Sequence, residues 1–130
     1  NKVSYLNFVK SRKVRKMERI LSELNRVPGI HGTLIVGKDG IVILSDISDE
    51  IDEEEVSALA GSLILSAEKI SRKLGQGELK TITVETNKCK WFIQHINIGF
   101  LVAVADADSN LGLLRVELRD AAVKLNNITL

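Results

Sequence analysis

DEEEVSALAGSLILSAEKISRK, residues 52–73, is the stretch on which the fold depends, because it reads as one helix of about six turns with two apolar or small faces. The face expected to cover the core carries Val56, Leu59, Ala60, Leu63, Ala67, Ile70 and Leu74. The second face, small enough for close approach of another backbone, carries Ala58, Gly61, Ser62 and Leu65. A helix that is apolar on two sides must be buried on both, and a second copy is the simplest cover in so short a chain. The stretch therefore predicts a dimer whose function is contact.

The elements around this helix follow from hydrophobic periodicity and turn residues. Strands are predicted at residues 30–36, 41–45, 79–86, 89–96 and 99–105, and further helices at about 14–26 and 110–127. The last strand is apolar on both faces, so we place it at the centre of the sheet. The order α-β-β-α-β-β-β-α predicts an α/β fold, a three-layer sandwich with a five-stranded, mainly antiparallel sheet.

Length, charge and cysteine content narrow the class of protein. A chain of 130 residues that is 45% hydrophobic is one domain with a real core. Six bases and no acid precede Met17, so residues 1–16 form a basic arm or a helix extension, whereas the remainder has 12 bases and 17 acids. The arm could contact an acidic partner, nucleic acid or a membrane surface, but a solvated arm or the first turns of a helix is the favoured interpretation. The single cysteine, Cys89, and the lack of a long apolar run predict a cytoplasmic protein without a membrane span or signal peptide.

Three local motifs resemble the roadblock/dynein light-chain family. Leu21-Ser-Glu-Leu-Asn-Arg-Val27 followed by residues 29–36 is similar to the opening helix and first strand of that family. Gly37-Lys-Asp-Gly40 is similar to its glycine-tipped hairpin, and residues 106–115, DADSNLGLLR, to the entry of its last helix. The resemblance covers about residues 17–128, so a roadblock-like domain is predicted at 17–130.

The resemblance implies a homodimer in which the long helices pack antiparallel and the third strands join two sheets. It also implies a non-catalytic platform that regulates a Ras-like small GTPase or scaffolds a motor or signalling complex. The predicted contact residues are Ala58, Gly61, Ser62, Leu65, Lys69, Thr81 and Thr83. Opposite charges at the helix ends, Glu53–Glu55 and Lys69–Lys73, would pair between antiparallel copies, although the helix dipole alone explains them. Activator versus scaffold, and homodimer versus heterodimer with a paralogue, remain open at this point.

Two loops superficially suggest ligand sites. Gly37-Lys38-Asp39-Gly40 lacks the spacing of a phosphate loop and joins two strands. Asp106, Asp108, Asn110 and Glu117 fit part of a calcium-loop template, but Leu111 stands where that template needs glycine. Capping of the last helix by Asp108, Ser109 or Asn110 is the simpler interpretation.

No catalytic set is indicated by the remaining polar residues. His31 and His95 lie on separate predicted strands, whereas Cys89 and His95 share one face of the same strand. A metal site or a Cys/His nucleophile would also need a third ligand or an orienting acid, which the spacing does not indicate. The acids at 46–55 are typical of a solvated turn that complements a helix dipole. We therefore expect no catalytic residue, cofactor or metal, and no nucleic-acid partner. A profilin-like or PAS-like small-molecule sensory module is the alternative, although the sequence shows no polar cluster to line its pocket.

Overall fold

A computed structural model describes residues 11–75 and 77–128. The helices are α1 (Arg12–Leu24), α2 (Glu53–Leu74) and α3 (Leu111–Ile128), and the strands are β1 (Ile30–Gly37), β2 (Val42–Ile47), β3 (Thr81–Glu85), β4 (Cys89–Ile96) and β5 (Gly99–Asp106). The strands form one sheet in the order β2-β1-β5-β4-β3, and every neighbouring pair is antiparallel. The predicted fold class and element order are confirmed.

Helices cover both faces of the sheet. On one face α1 and α3 pack over Ile35, Phe92, Leu101 and other buried side chains. On the other face, α2 packs over Leu34, Phe100, Val102 and their neighbours. β5 is buried along nearly its whole length and lies in the middle of the sheet, which confirms the prediction made from its two apolar faces.

Most predicted boundaries differ from the observed ones by one or two residues. β4 has the predicted bounds, and the buried residues of α3 recur at helical spacing: Leu114, Leu118, Ala121, Ala122 and Leu125. β3 is shorter than predicted, since its ladder with β4 pairs only Thr81 to Glu85. α1 begins at Arg12, so the C-terminal part of the predicted basic arm is its first turn. Residues 1–10 of that arm lie outside the described residues.

Sequence signals at both ends of α2 explain its length. Asp52 is the N-cap, and its carboxylate accepts a hydrogen bond from the Glu55 N–H at 3.2 Å. Gly75 ends the helix in the left-handed region, with φ +60°. Glu53, Glu54 and Glu55 occupy the first turn, where carboxylates stabilise the positive end of the helix dipole.

The face of α2 that covers the core is rotated from the predicted one. Val56 and Ala60 are buried as predicted, but Ile64 and Gly61 complete the buried face. Leu59, Ile70 and Leu74, which were expected in the core, are exposed. The predicted burial is therefore wrong for these three residues. The turn that joins β1 to β2 packs against the other side of α2 and so leaves them uncovered.

Candidate functional site

The turn between β1 and β2 covers one side of α2. A Cβ atom added to Gly61 would collide with the carbonyl oxygen of Gly40, and one added to Gly40 would lie 2.9 Å from Leu65 Cδ1. A side chain at Gly61 is therefore excluded by the backbone of Gly40 in the same chain. Within one chain the hairpin turn covers Gly61, whereas Ala58, Ser62 and Lys69 are exposed. The contact of these residues with a second copy stays a prediction.

The opposite side of α2 carries an apolar stripe. At about 100° per residue, Leu59, Leu63 and Ile70 lie within about 20° of the direction opposite to Gly61. Leu59 is 53% exposed and Ile70 is 59% exposed, whereas Leu63 is half-buried. Since the hairpin turn belongs to the β2 end of the sheet, this stripe faces the β4–β3 end.

The sheet beneath that stripe is only partly covered. Ile82 and Val84 of β3 stand opposite Ile93 and Trp91 of β4, on the face that carries α2. Ile82, Val84 and Trp91 are half-buried within the chain. An apolar helix side and an apolar strip of sheet therefore border the same open space.

β3 is an edge strand with a regular ladder. Its five residues pair with β4 without a register shift, so its outer backbone groups present an even row. β2, at the other edge, has an irregularity opposite Ile35 and Val36. Because bulges hinder strand addition, β3 is the edge better suited to pair with another strand.

The side chains of Thr81 and Thr83 point to the other face of the sheet, toward α3. They line a cleft of about 240 Å³ together with Phe92, Gln94, Arg115, Leu118 and Arg119. The residue pattern predicted a dimer contact for these threonines and did not indicate the two arginines. The available signal was the four-residue spacing of Arg115 and Arg119, which places both on one side of a helix.

The histidines and the cysteine have separate environments. His31 Nε2 is hydrogen-bonded to Asp106 Oδ1, whereas His95 packs edge-on against Phe100 with ring centroids 5.4 Å apart. Cys89 lies within 3.5 Å of the Thr86 hydroxyl. Within the described ranges, 11–75 and 77–128, no group of three His, Cys, Asp or Glu side chains could hold a metal ion.

The loops resembling ligand motifs are explained by local hydrogen bonds. Asn110 Oδ1 accepts from the Leu113 N–H at 3.0 Å, which confirms the interpretation of helix capping. In the hairpin, the Gly37 N–H donates to the Ile41 carbonyl at 2.8 Å and Asp39 Oδ1 accepts from the Ile41 N–H at 3.0 Å. The Ser45 hydroxyl donates to Glu53, which ties β2 to the first turn of α2.

Fold and site together define an α/β sandwich with a half-covered sheet face and an open, regular sheet edge. The family model of the Roadblock/LC7 domain matches residues 16–106 of the sequence. The uncharacterized proteins MJ1340 and MJ0310 of Methanocaldococcus jannaschii are each 38% identical to the chain over 109 residues, covering 84% of it and 96% of each relative. The chain belongs to the Roadblock/LC7 family.

Solved structures agree with this fold. Myxococcus xanthus MglB superposes with a TM-score of 0.83 at 20% identity, covering 93% of this chain and 92% of that one. The gliding protein MglB of Thermus thermophilus gives 0.78 at 15% identity, with 92% and 93% covered. A Roadblock/LC7 domain of Streptomyces avermitilis gives 0.73 at 19% identity, with 85% and 95% covered. Among the described residues, no helix has the length and apolar content needed to cross a membrane.

Proposed function

We propose that the chain is a non-catalytic homodimeric platform for a Ras-like small GTPase in a reducing, cytoplasmic compartment. The observation that carries the proposal is the apolar side of α2 beside the uncovered strip of β3 and β4. A partner α2, packed antiparallel, would cover both surfaces at once. Membership in the roadblock family supports this arrangement over the profilin-like or PAS-like sensory module.

The apolar stripe of α2 has the internal symmetry that a two-fold axis requires. Leu63 and Ile70 lie three residues outside the pair Ser66 and Ala67, and Leu59 and Leu74 lie seven residues outside it. In an antiparallel helix pair centred on Ser66 and Ala67, each large residue is therefore level with a large residue of the partner. Small residues at the centre allow the close approach, and the contact is self-complementary, as an isologous interface must be.

Pairing of β3 with the β3 of the partner would continue the sheet. Backbone groups in the plane of the sheet make this contact, so Thr81 and Thr83 contribute main-chain hydrogen bonds rather than side-chain contacts. Their side chains stand roughly perpendicular to the sheet and stay available to the cleft under α3. The outer surface of the paired helices, with Ala58, Ser62 and Lys69 exposed, is then the surface offered to the GTPase.

The proposed dimer can be tested by a single charge in its apolar centre. Ile70→Asp should convert the dimer to a monomer at micromolar concentration, since an unpaired carboxylate would be buried in the interface. Val123→Asp is the matched control, because Val123 is an exposed apolar residue on α3 with 55% exposure. Light scattering after size-exclusion chromatography gives the mass, against 14.3 kDa for one chain.

Binding of the GTPase is measured with the same variants. The wild-type chain and the Val123→Asp variant should co-elute with a Ras-like GTPase from the same genome, and Ile70→Asp should not. The rate of GTP hydrolysis with and without the chain then separates an activator from a scaffold. Dimerisation without binding to any GTPase, in either the GTP-bound or the GDP-bound state, would refute the proposed partner but not the proposed dimer.

A further inference from the structure

The cleft between α3 and the outer strands is not used by the proposed dimer contact. It lies on the face of the sheet opposite α2, between the side chains of Thr81 and Thr83 on one wall and Arg115 and Arg119 on the other. Phe92 and Leu118, each 3% exposed, belong to its lining. The consecutive strands β3 and β4 and the more distant helix α3 therefore converge on one small concave surface.

The positive charge of this cleft is carried by two exposed side chains, Arg115 and Arg119. Among residues 11–75 and 77–128, no carboxylate lies within 4.0 Å of the Arg115 or Arg119 guanidinium. The acids of α3 lie on its other side, where Glu117 and Asp120 line a separate groove against α1. Two guanidinium groups spaced four residues apart on a helix can reach one anion.

The remaining polar groups fit an oxyanion. Two threonine hydroxyls can each donate a hydrogen bond, and the Gln94 amide has one N–H beyond the one that it donates to the His95 carbonyl at 3.3 Å. A guanidinium binds phosphate oxygens with two parallel N–H groups. The cleft volume is about 240 Å³, slightly below the roughly 300–1,000 Å³ typical of small-molecule sites. This volume accommodates a phosphate group with a short substituent and is small for a nucleotide.

We propose that this cleft binds a small phosphate-bearing ligand through Arg115, Arg119, Thr81 and Thr83. The site belongs to one protomer, so it does not depend on the proposed dimer or its GTPase partner. If β3 strands pair, the two clefts of the dimer lie on the same face on either side of the seam. A bound ligand would then lie next to β3, the strand that joins the protomers.

Isothermal titration calorimetry at constant ionic strength tests the site with orthophosphate, pyrophosphate and glycerol phosphate as probes. These arms distinguish free phosphate from a phosphate monoester. The double variant R115Q/R119Q should weaken binding at least about tenfold, because it removes two charge-assisted contacts. Lys124→Gln is the matched control, since Lys124 lies on the α1 side of the same helix, and it should change affinity less than about twofold.

A second measurement remains informative if the double variant is poorly folded. In amide NMR spectra of the wild-type chain, saturating glycerol phosphate should shift Thr81, Thr83 and Gln94 more than the residues of α2. Affinity should also fall from pH 7.5 to pH 5.0, because a phosphate monoester loses its second charge near pH 6. Non-saturating binding, equal loss in Lys124→Gln, or shifts spread over all basic residues would overturn the proposal.

Discussion

Gly61 and Gly40 show how a single side chain, or its absence, sets the orientation of a helix. Gly40 adopts φ +82°, and its carbonyl oxygen occupies the space in which a Gly61 side chain would lie. Because the turn rests on this side of α2, the leucine and isoleucine side chains on the opposite side face the open end of the sheet. The contact therefore decides which residues remain available for a partner.

Gly61→Ala should lower the free energy of unfolding by about 1–2 kcal/mol. The added methyl group forces the hairpin or the helix to shift, and the better helix propensity of alanine offsets about 1 kcal/mol of that cost. Denaturant unfolding at fixed protein concentration measures the change. Ser62→Ala, at the neighbouring exposed position, should stay within about 0.5 kcal/mol of the wild type. A variant at Gly61 that is more stable than the wild type would contradict the contact.

At the scale of one element, α2 depends on its N-cap as well as on its buried face. Asp52→Ala should cost about 1 kcal/mol, because the Glu55 N–H loses its acceptor at the start of the helix. Asp52→Ser should retain most of this stability, and Asp49→Ala, an exposed site before the cap, should have little effect. Unfolding curves of the three variants check the order. Equal losses in Asp52→Ala and Asp49→Ala would point to general charge rather than capping.

At the scale of the whole molecule, the position of the helix crossing distinguishes two dimers. A crossing at Ser66 and Ala67 places the apolar residues level with one another, whereas the charge pairing expected from Glu53–Glu55 and Lys69–Lys73 requires a crossing near Ser62. In the first dimer, two Ser62 residues are about 13 Å apart along the helix axis. A disulfide needs Cα atoms within about 7 Å.

Ser66→Cys, in a Cys89→Ser background, should therefore form a disulfide-linked dimer on mild oxidation. Ser62→Cys in the same background should stay largely unlinked. Non-reducing electrophoresis of the purified variants measures the linked fraction. The reverse result would establish the crossing near Ser62 and restore the predicted charge pairing, and no linkage at either position would contradict antiparallel packing of α2.

The amino-acid sequence by itself determined the elements, their order and the central place of β5. These depend on local signals: the apolar period of each segment, the Asp52 and Gly75 caps, and the glycines of the hairpin turn. It also indicated a helix with apolar residues on two sides. Since such signals act over a few residues, they can be recognised in a single amino-acid sequence.

The tertiary structure decided which side of α2 is free and where the arginine cleft lies. Helical periodicity alone predicts that Leu59 and Ile70 lie in the core and that Gly61 contacts a second copy. It does not register the hairpin turn that covers Gly61, because that contact is made by a distant part of the sequence. The cleft joins Thr81 and Thr83 to Arg115 and Arg119, which are more than 30 residues away in the sequence. Their proximity follows from sheet order and from the packing of α3, and both are set by long-range burial rather than by local sequence.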